Sequence, residues 1–250
     1  MIDRRQVLAA TGLLLPDLSA CGGPALDQLA AGPLAQVIEI RSGDSLVLQG
    51  GQIVRLAATA APFGDQLYAA EAREALAELA LGQTVQLLFG GARQDPYGRT
   101  LAHVRRQKDR LWLQKAMLDQ GAARVRTYAD NRALARTLLD AEAVARKGKK
   151  GLWTLLAYRV RLPKEGAVDP FGFQIVEGRV SAASGQGVSL ENWVQADIAP
   201  QARAAFANAG LTADALKGKL VRLRGQCSPG RQQALLALDH PEQLELLRES

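Results

Sequence analysis

Apolar and polar residues alternate through 36–41 (QVIEIR), the pattern of a strand with one buried face. A turn at Ser42, Gly43 and Asp44 follows. The apolar stretches 45–48 and 53–57 then flank Gly50 and Gly51, which predicts a hairpin turning at the glycines. Over 68–81 the period lengthens: Ala69, Ala72, Leu76 and Leu79 share one helical stripe, with Asp65 or Gln66 placed to cap its start and Gly82 to stop it. Strands are predicted again at 84–89 and 100–105, joined through the turn DPYGR, and helices at 111–120 and 132–146. The last of these puts Leu134, Leu138, Ala141 and Ala145 on one face. Three strands, a helix, two strands and two helices suit a small closed barrel capped by helices.

The stretch 163–170 (PKEGAVDP) has two prolines, a glycine and no apolar period, and reads as a linker. Beyond it the order repeats, with strands at 173–181, 188–190 and 194–198, a helix at 201–208, and strands at 219–226 and 233–238. This predicts a second five-stranded barrel.

The opening is of another kind. Arg4 and Arg5 precede an apolar run at 7–15 that is too short to span a bilayer, and Leu18, Ser19, Ala20 and Cys21 close it. This reads as an export signal. LSAC resembles a bacterial lipobox, whose cysteine is acylated, and the arginine pair resembles a twin-arginine signal. The expectation is a periplasmic or cell-envelope protein held to a membrane through Cys21. The chain then divides into an export signal (1–21), a linker (22–34), a first domain (35–158), a linker (159–171) and a second domain (172–248).

With 250 residues, 48% of them hydrophobic, the chain has enough apolar surface for two cores, which excludes a disordered protein. The net charge of +6 favours anionic partners or serves as solubilising surface charge. Two cysteines exclude a disulfide framework, and Cys227 reads as a small buried residue of a strand. His103 and His240 read as ordinary surface or edge residues. The run Arg146, Lys147, Lys149 and Lys150 reads as a nucleic-acid contact or a solvated helix end, and Trp153 as a packing anchor.

The segments SGDSLVL, VRL, AP, EAREAL, DPYGRTLAHV, WLQKAMLDQGAARV and AEAVARKGKKGLW together resemble the staphylococcal-nuclease-like, or thermonuclease, family over 36–153. VEGRV, LKGKLVRLRG and DHPEQLELL resemble the C-terminal extension of bacterial members. The resemblance implies a mostly β protein with capping helices: an OB-fold nuclease-like barrel of five strands, then a second small OB-like barrel. It also implies a chemistry, since active members cut DNA and RNA with calcium. Carboxylates hold the ion, a glutamate takes a proton from the attacking water, and two arginines stabilise charge on phosphorus oxygens.

Asp44 matches the second aspartate of the family's metal turn, whose first is here Ser42, and Arg55 and Arg99 match the two arginines. Ala60 stands where a calcium-ligand aspartate belongs, and Phe63 where the glutamate base belongs. Neither side chain binds calcium or accepts a proton, and loss of the base alone costs about 10²- to 10⁴-fold. The implied site is a degenerate one, with no cofactor expected, in which Asp44, Arg55 and Arg99 carry a positive excess suited to nucleic acid or another phosphate-bearing ligand. Arg55 also reads as a strand arginine simply paired with Asp44. The alternative is a calcium-dependent nuclease that recruits a substitute acid, Asp65 or Glu71. A protein partner at the second domain is a further expectation.

Overall fold

The computed structural model describes residues 25–162, 172–191, 193–230 and 233–248. The expected export signal with Cys21 and the linker 163–170 lie outside the described residues.

The first domain is a closed barrel of β1 (Ala30–Ser42), β2 (Ser45–Leu48), β3 (Ile53–Leu56), β5 (Thr84–Phe89) and β6 (Thr100–Arg106), in the ring order β1-β2-β3-β6-β5. β1 closes the ring by pairing with β5 through its first half and β2 through its second. Val37, Leu46, Leu48, Val54, Leu56, Val85, Leu87 and Val104 fill the barrel. Helices α1 (Ala69–Ala80), α2 (Leu113–Asp119) and α3 (Ala135–Lys147) add Ala72, Leu76, Met117 and Leu138 to the same core. The two-residue strands β4 (Thr59–Ala60) and β7 (Arg124–Val125) form a separate ladder beside the barrel.

The sequence placed a linker at 22–34, but β1 begins at Ala30 and pairs there with Phe89. The segment AAGPLA hides this strand because Gly32 and Pro33 break its alternation; the ladder is irregular between Ala31 and Leu34, where the proline has no N–H to give. Gly32 itself is required, since a Cβ there would lie 2.5 Å from the Phe89 ring. The expected cap of α1 is also different. Tyr68, at φ 72°, is the N-cap and gives no side-chain bond, while the Gln66 side chain accepts from the Phe63 N–H.

The second domain repeats the ring. β8 (Gly172–Ser184), β9 (Gly187–Leu190), β10 (Val194–Ile198), β11 (Leu220–Pro229) and β12 (Ala234–Leu238) close in the order β8-β9-β10-β12-β11. In each barrel the third strand pairs in parallel with the fifth, and helix lies between the third and fourth. Both are therefore five-stranded OB-type barrels. α4 (Arg203–Asn208) matches the expected helix; α5 (Ala213–Leu216), capped by the Thr212 hydroxyl, and β13 (Leu244–Leu246), on the edge of β11, are too short for periodicity to reveal.

The two domains are fastened by charge. Arg224 of β11 is 1% exposed and reaches α3, where it donates to both carboxylate oxygens of Glu142 at 3.1 Å and to the Val125 carbonyl at 3.3 Å. Its other nitrogen donates to Glu245 at 2.7 Å. Glu142, wholly buried, also accepts from the Val125 N–H at 2.6 Å and from Arg146 at 3.1 Å. Trp153, Tyr158 and Ile175 form a small apolar cluster that spans both domains. The predicted linker at 159–171 is partly structured, since Arg161 bridges to Val176 of β8.

A candidate phosphate pocket in the first barrel

The turn DPYGR positions one of the two arginines. Asp95 Oδ1 accepts the N–H groups of Tyr97 and Arg99 at 2.9 Å, and Oδ2 accepts Arg99 Nε at 2.6 Å. Gly98, at φ 76°, supplies the left-handed residue this tight turn needs. Asp95 thereby holds Arg99, the residue before β6, through Nε and leaves its terminal nitrogens uncommitted to Asp95. These hydrogen bonds hold the Asp95 carboxyl below the usual carboxylate range against the opposing push of burial.

Arg55 comes from β3, opposite Ser45 on one side and Leu101 on the other. It shares with Arg99 a pocket of about 320 Å³ that is also bordered by Asp95, Tyr97, Tyr128 and Asp130. Burial lowers the Arg55 pKa, Asp44 opposes that shift, and the charge of Arg99 adds to it. Two guanidinium groups thus repel across one cavity, which is the condition an anion relieves.

Arg55 is nevertheless heavily held. It donates to the carbonyls of Leu56 at 3.0 Å and Thr59 at 2.8 Å, and pairs with Asp44 Oδ2 at 3.1 Å. The ion-pair reading of Arg55 is the arrangement present. Asp44 is equally committed: Oδ1 accepts from the Ser42 hydroxyl at 2.9 Å, and Oδ2 from the Ala61 N–H at 2.7 Å. The positive excess expected from Asp44, Arg55 and Arg99 alone is reduced, because Asp95 pairs with Arg99.

Ala60 lies in β4 opposite Arg124, and the adjoining Ala61 packs so closely that a Cβ on Gly43 would lie 2.6 Å from its own. Phe63 is 64% exposed and borders a groove with Arg41, Ser42 and Arg73, away from the residues lining the arginine pocket. Asp65 and Glu71 are exposed and also lie outside that lining. The geometry does not bring the expected substitute acids to the arginines. Among the described residues no cluster of three or more His, Cys, Asp or Glu side chains could hold a metal, and Asp44 has both oxygens occupied. The residues present do not fit calcium, which takes roughly six to eight oxygen ligands.

Residues 53–155 match the family model of staphylococcal nuclease homologues. The first barrel is a staphylococcal-nuclease-like domain. The match runs from β3 past α3 and so takes in Arg55, Arg99 and the loop with Ala60 and Phe63. No curated protein matches the chain.

Sequence reasoning missed three residues of the nuclease-like domain's pocket. Asp95 was readable, since an aspartate opening a turn caps the N–H groups that follow. Tyr128 and Asp130 come from a loop without a motif. Both histidines differ from expectation: His103 is fully buried against the edge of Trp112, and His240 is buried beside Glu242. Arg146 is not a solvated helix end, because it pairs with Glu142 and stacks over Trp153.

Proposed function

We propose that the nuclease-like domain binds a nucleic-acid strand through its phosphates and does not hydrolyse it. The observation that carries this is the convergence of Arg55 and Arg99 on one pocket; the resemblance adds that Ala60 and Phe63 stand where the family has a metal ligand and the base. Arg99 is the principal ligand, because Asp95 fixes its Nε side and leaves its terminal N–H groups for a phosphate. Arg55, already bonded to two carbonyls and Asp44, contributes mainly field.

The chain acts at the cell envelope in this reading, exported by its twin-arginine-like start and acylated at Cys21. Its second barrel is available to a protein partner. Membrane partitioning of wild type against Cys21→Ser checks the anchor, and equal partitioning would count against it.

The test of binding is anisotropy with a labelled oligothymidylate across a salt series, alongside cleavage assays with calcium and with chelator. Affinity should fall steeply with salt, with no product in either assay, and Arg99→Ala should weaken binding about tenfold or more, the scale of a charge-assisted hydrogen bond. Salt-independent binding would sink the proposal. A hydrolytic reading has one observation in its favour: Asp130 is an exposed carboxylate on the rim of the pocket. Calcium-dependent cleavage abolished by Asp130→Asn would establish it.

A further inference from the structure

The pocket does not end at Tyr128. From β7 onward the chain alternates: Val125 and Thr127 point into the core, while Arg124, Arg126 and Tyr128 fall on the opposite side. The Arg126 guanidinium lies 5.5 Å from the centre of the Tyr128 ring and 5.4 Å from that of Phe173, the second residue of β8 in the other barrel. Arg124 lies 5.0 Å from the Phe173 and Tyr158 rings and donates to the Phe173 carbonyl at 3.2 Å. Burial takes the Arg124 pKa down to about 10, as suits a residue that holds Phe173 in place.

Arg126 differs from Arg124, which donates to the Phe173 carbonyl, and from the nearby arginines that pair with acids. Arg55, Arg99, Arg146, Arg222 and Arg224 each have a carboxylate partner, whereas Arg126 has none among the described residues. Its charge also contributes to lowering the Arg55 pKa, so it lies within electrostatic reach of the pocket. Aromatic rings on two sides hold a guanidinium flat and leave its N–H edge to an anion.

We infer that Arg126 is a second phosphate-binding residue and that a single strand leaves the Arg55–Arg99 pocket across Tyr128 toward the second barrel. Alternate residues of an extended chain are about 6.6 Å apart, on the order of one nucleotide step of an extended strand, so Tyr128 can take a base where Arg126 takes the next phosphate. Phe173 makes the second barrel part of the binding surface. This inference rests on the proposed phosphate-binding function and adds its direction and its dependence on both domains.

The experiment compares thymidine monophosphate with an oligothymidylate of about ten nucleotides, within the site size of such folds. Arg126→Gln should weaken the longer ligand about tenfold, lower the slope of its salt dependence by about one, and leave the mononucleotide unchanged. Arg126→Lys should restore the slope without the full affinity, since it keeps the charge and loses the planar stack. Phe173→Leu keeps apolar packing at the domain junction and should weaken the longer ligand only. If Arg126→Gln and Phe173→Leu both leave the long ligand's affinity and slope unchanged while Arg99→Ala weakens it, the second barrel takes no part and the inference is overturned with the proposed function intact. If wild type binds neither ligand at low salt, the proposed function fails and takes the inference with it.

Discussion

Replacing Glu142 by glutamine is nearly isosteric and removes one charge from the domain junction. Glu142 receives the Val125 N–H, Arg146 and two nitrogens of Arg224, all in a site with no exposure. Breaking a buried pair by removing one partner costs about 3–5 kcal/mol, because the other charge is left uncompensated. Arg224 keeps Glu245 at 2.7 Å, which argues for the lower end. An amide group cannot accept on both sides, so one donor among Val125 N–H and the guanidinium groups loses its acceptor, and that adds about 1–3 kcal/mol. A loss of about 4 kcal/mol is a large share of the 5–15 kcal/mol that usually separates folded from unfolded chains. Arg224→Met should cost less, since Glu142 then retains Arg146 and the Val125 N–H. The double variant Glu142→Met with Arg224→Met should recover most of the loss, leaving mainly the orphaned polar groups of Val125.

Urea unfolding followed by tryptophan fluorescence reads this, with Trp112 and Trp153 in one domain and Trp193 in the other. Wild type should unfold in one transition and Glu142→Gln in two, as the domains uncouple. A cost below 1 kcal/mol for Glu142→Gln, or a double variant less stable than either single one, would refute the reasoning. The pH dependence has a defined sign. Burial pushes the Glu245 carboxyl up, but the charges and hydrogen bonds of Arg224, with Arg222 and Arg146, hold it below its usual range. Its contribution is complete above the unfolded carboxylate pKa of about 4.3 and is lost as pH falls through the lower folded value.

Burial takes the His103 pKa from 6.5 down to about 4, so between those values the unfolded chain binds the proton and the folded chain does not. Stability should therefore fall by about 3 kcal/mol as pH drops through that window, and urea midpoints at its two ends should show the loss in wild type but not in His103→Leu. Phe63→Glu alone should leave cleavage undetectable at any calcium concentration, because the side chain borders the Arg41–Arg73 groove and not the arginine pocket; appearance of calcium-dependent product would show that the loop moves.

The barrels were legible where the period was clear. Each strand of the two rings was anticipated from two-residue alternation or from apolar runs between glycines, with ends displaced where Gly32 and Pro33 interrupt the pattern. The domain junction was not legible. In LVRLRGQ the arginines alternate with core residues, and only the fold brings Arg224 to Glu142, 82 positions away. Alternation tells which side chains share a face; it does not tell what covers the face. Within the site, Arg55 and Arg99 were anticipated through the resemblance, whereas Tyr128 and Asp130 reach the pocket from a loop that carries no periodic signal.

Ser42 and the backbone that follows Ala60 converge on one carboxylate, that of Asp44. A carboxylate that holds a metal must present lone pairs to it, yet here the hydroxyl of Ser42 donates to Asp44 where a second acid would have repelled it. The Ala61 N–H and Arg55 occupy the other oxygen. Asp44 is thus the anchor that fixes Arg55 and the Ala60–Ala61 backbone, and its burial is tolerable because each oxygen is satisfied. Restoring one acid would place a new charge beside a closed network without freeing Asp44 to share an ion. In the binding proposed above, the charge offered to a phosphate is instead the terminal N–H edge of Arg99, which Asp95 holds only through Nε.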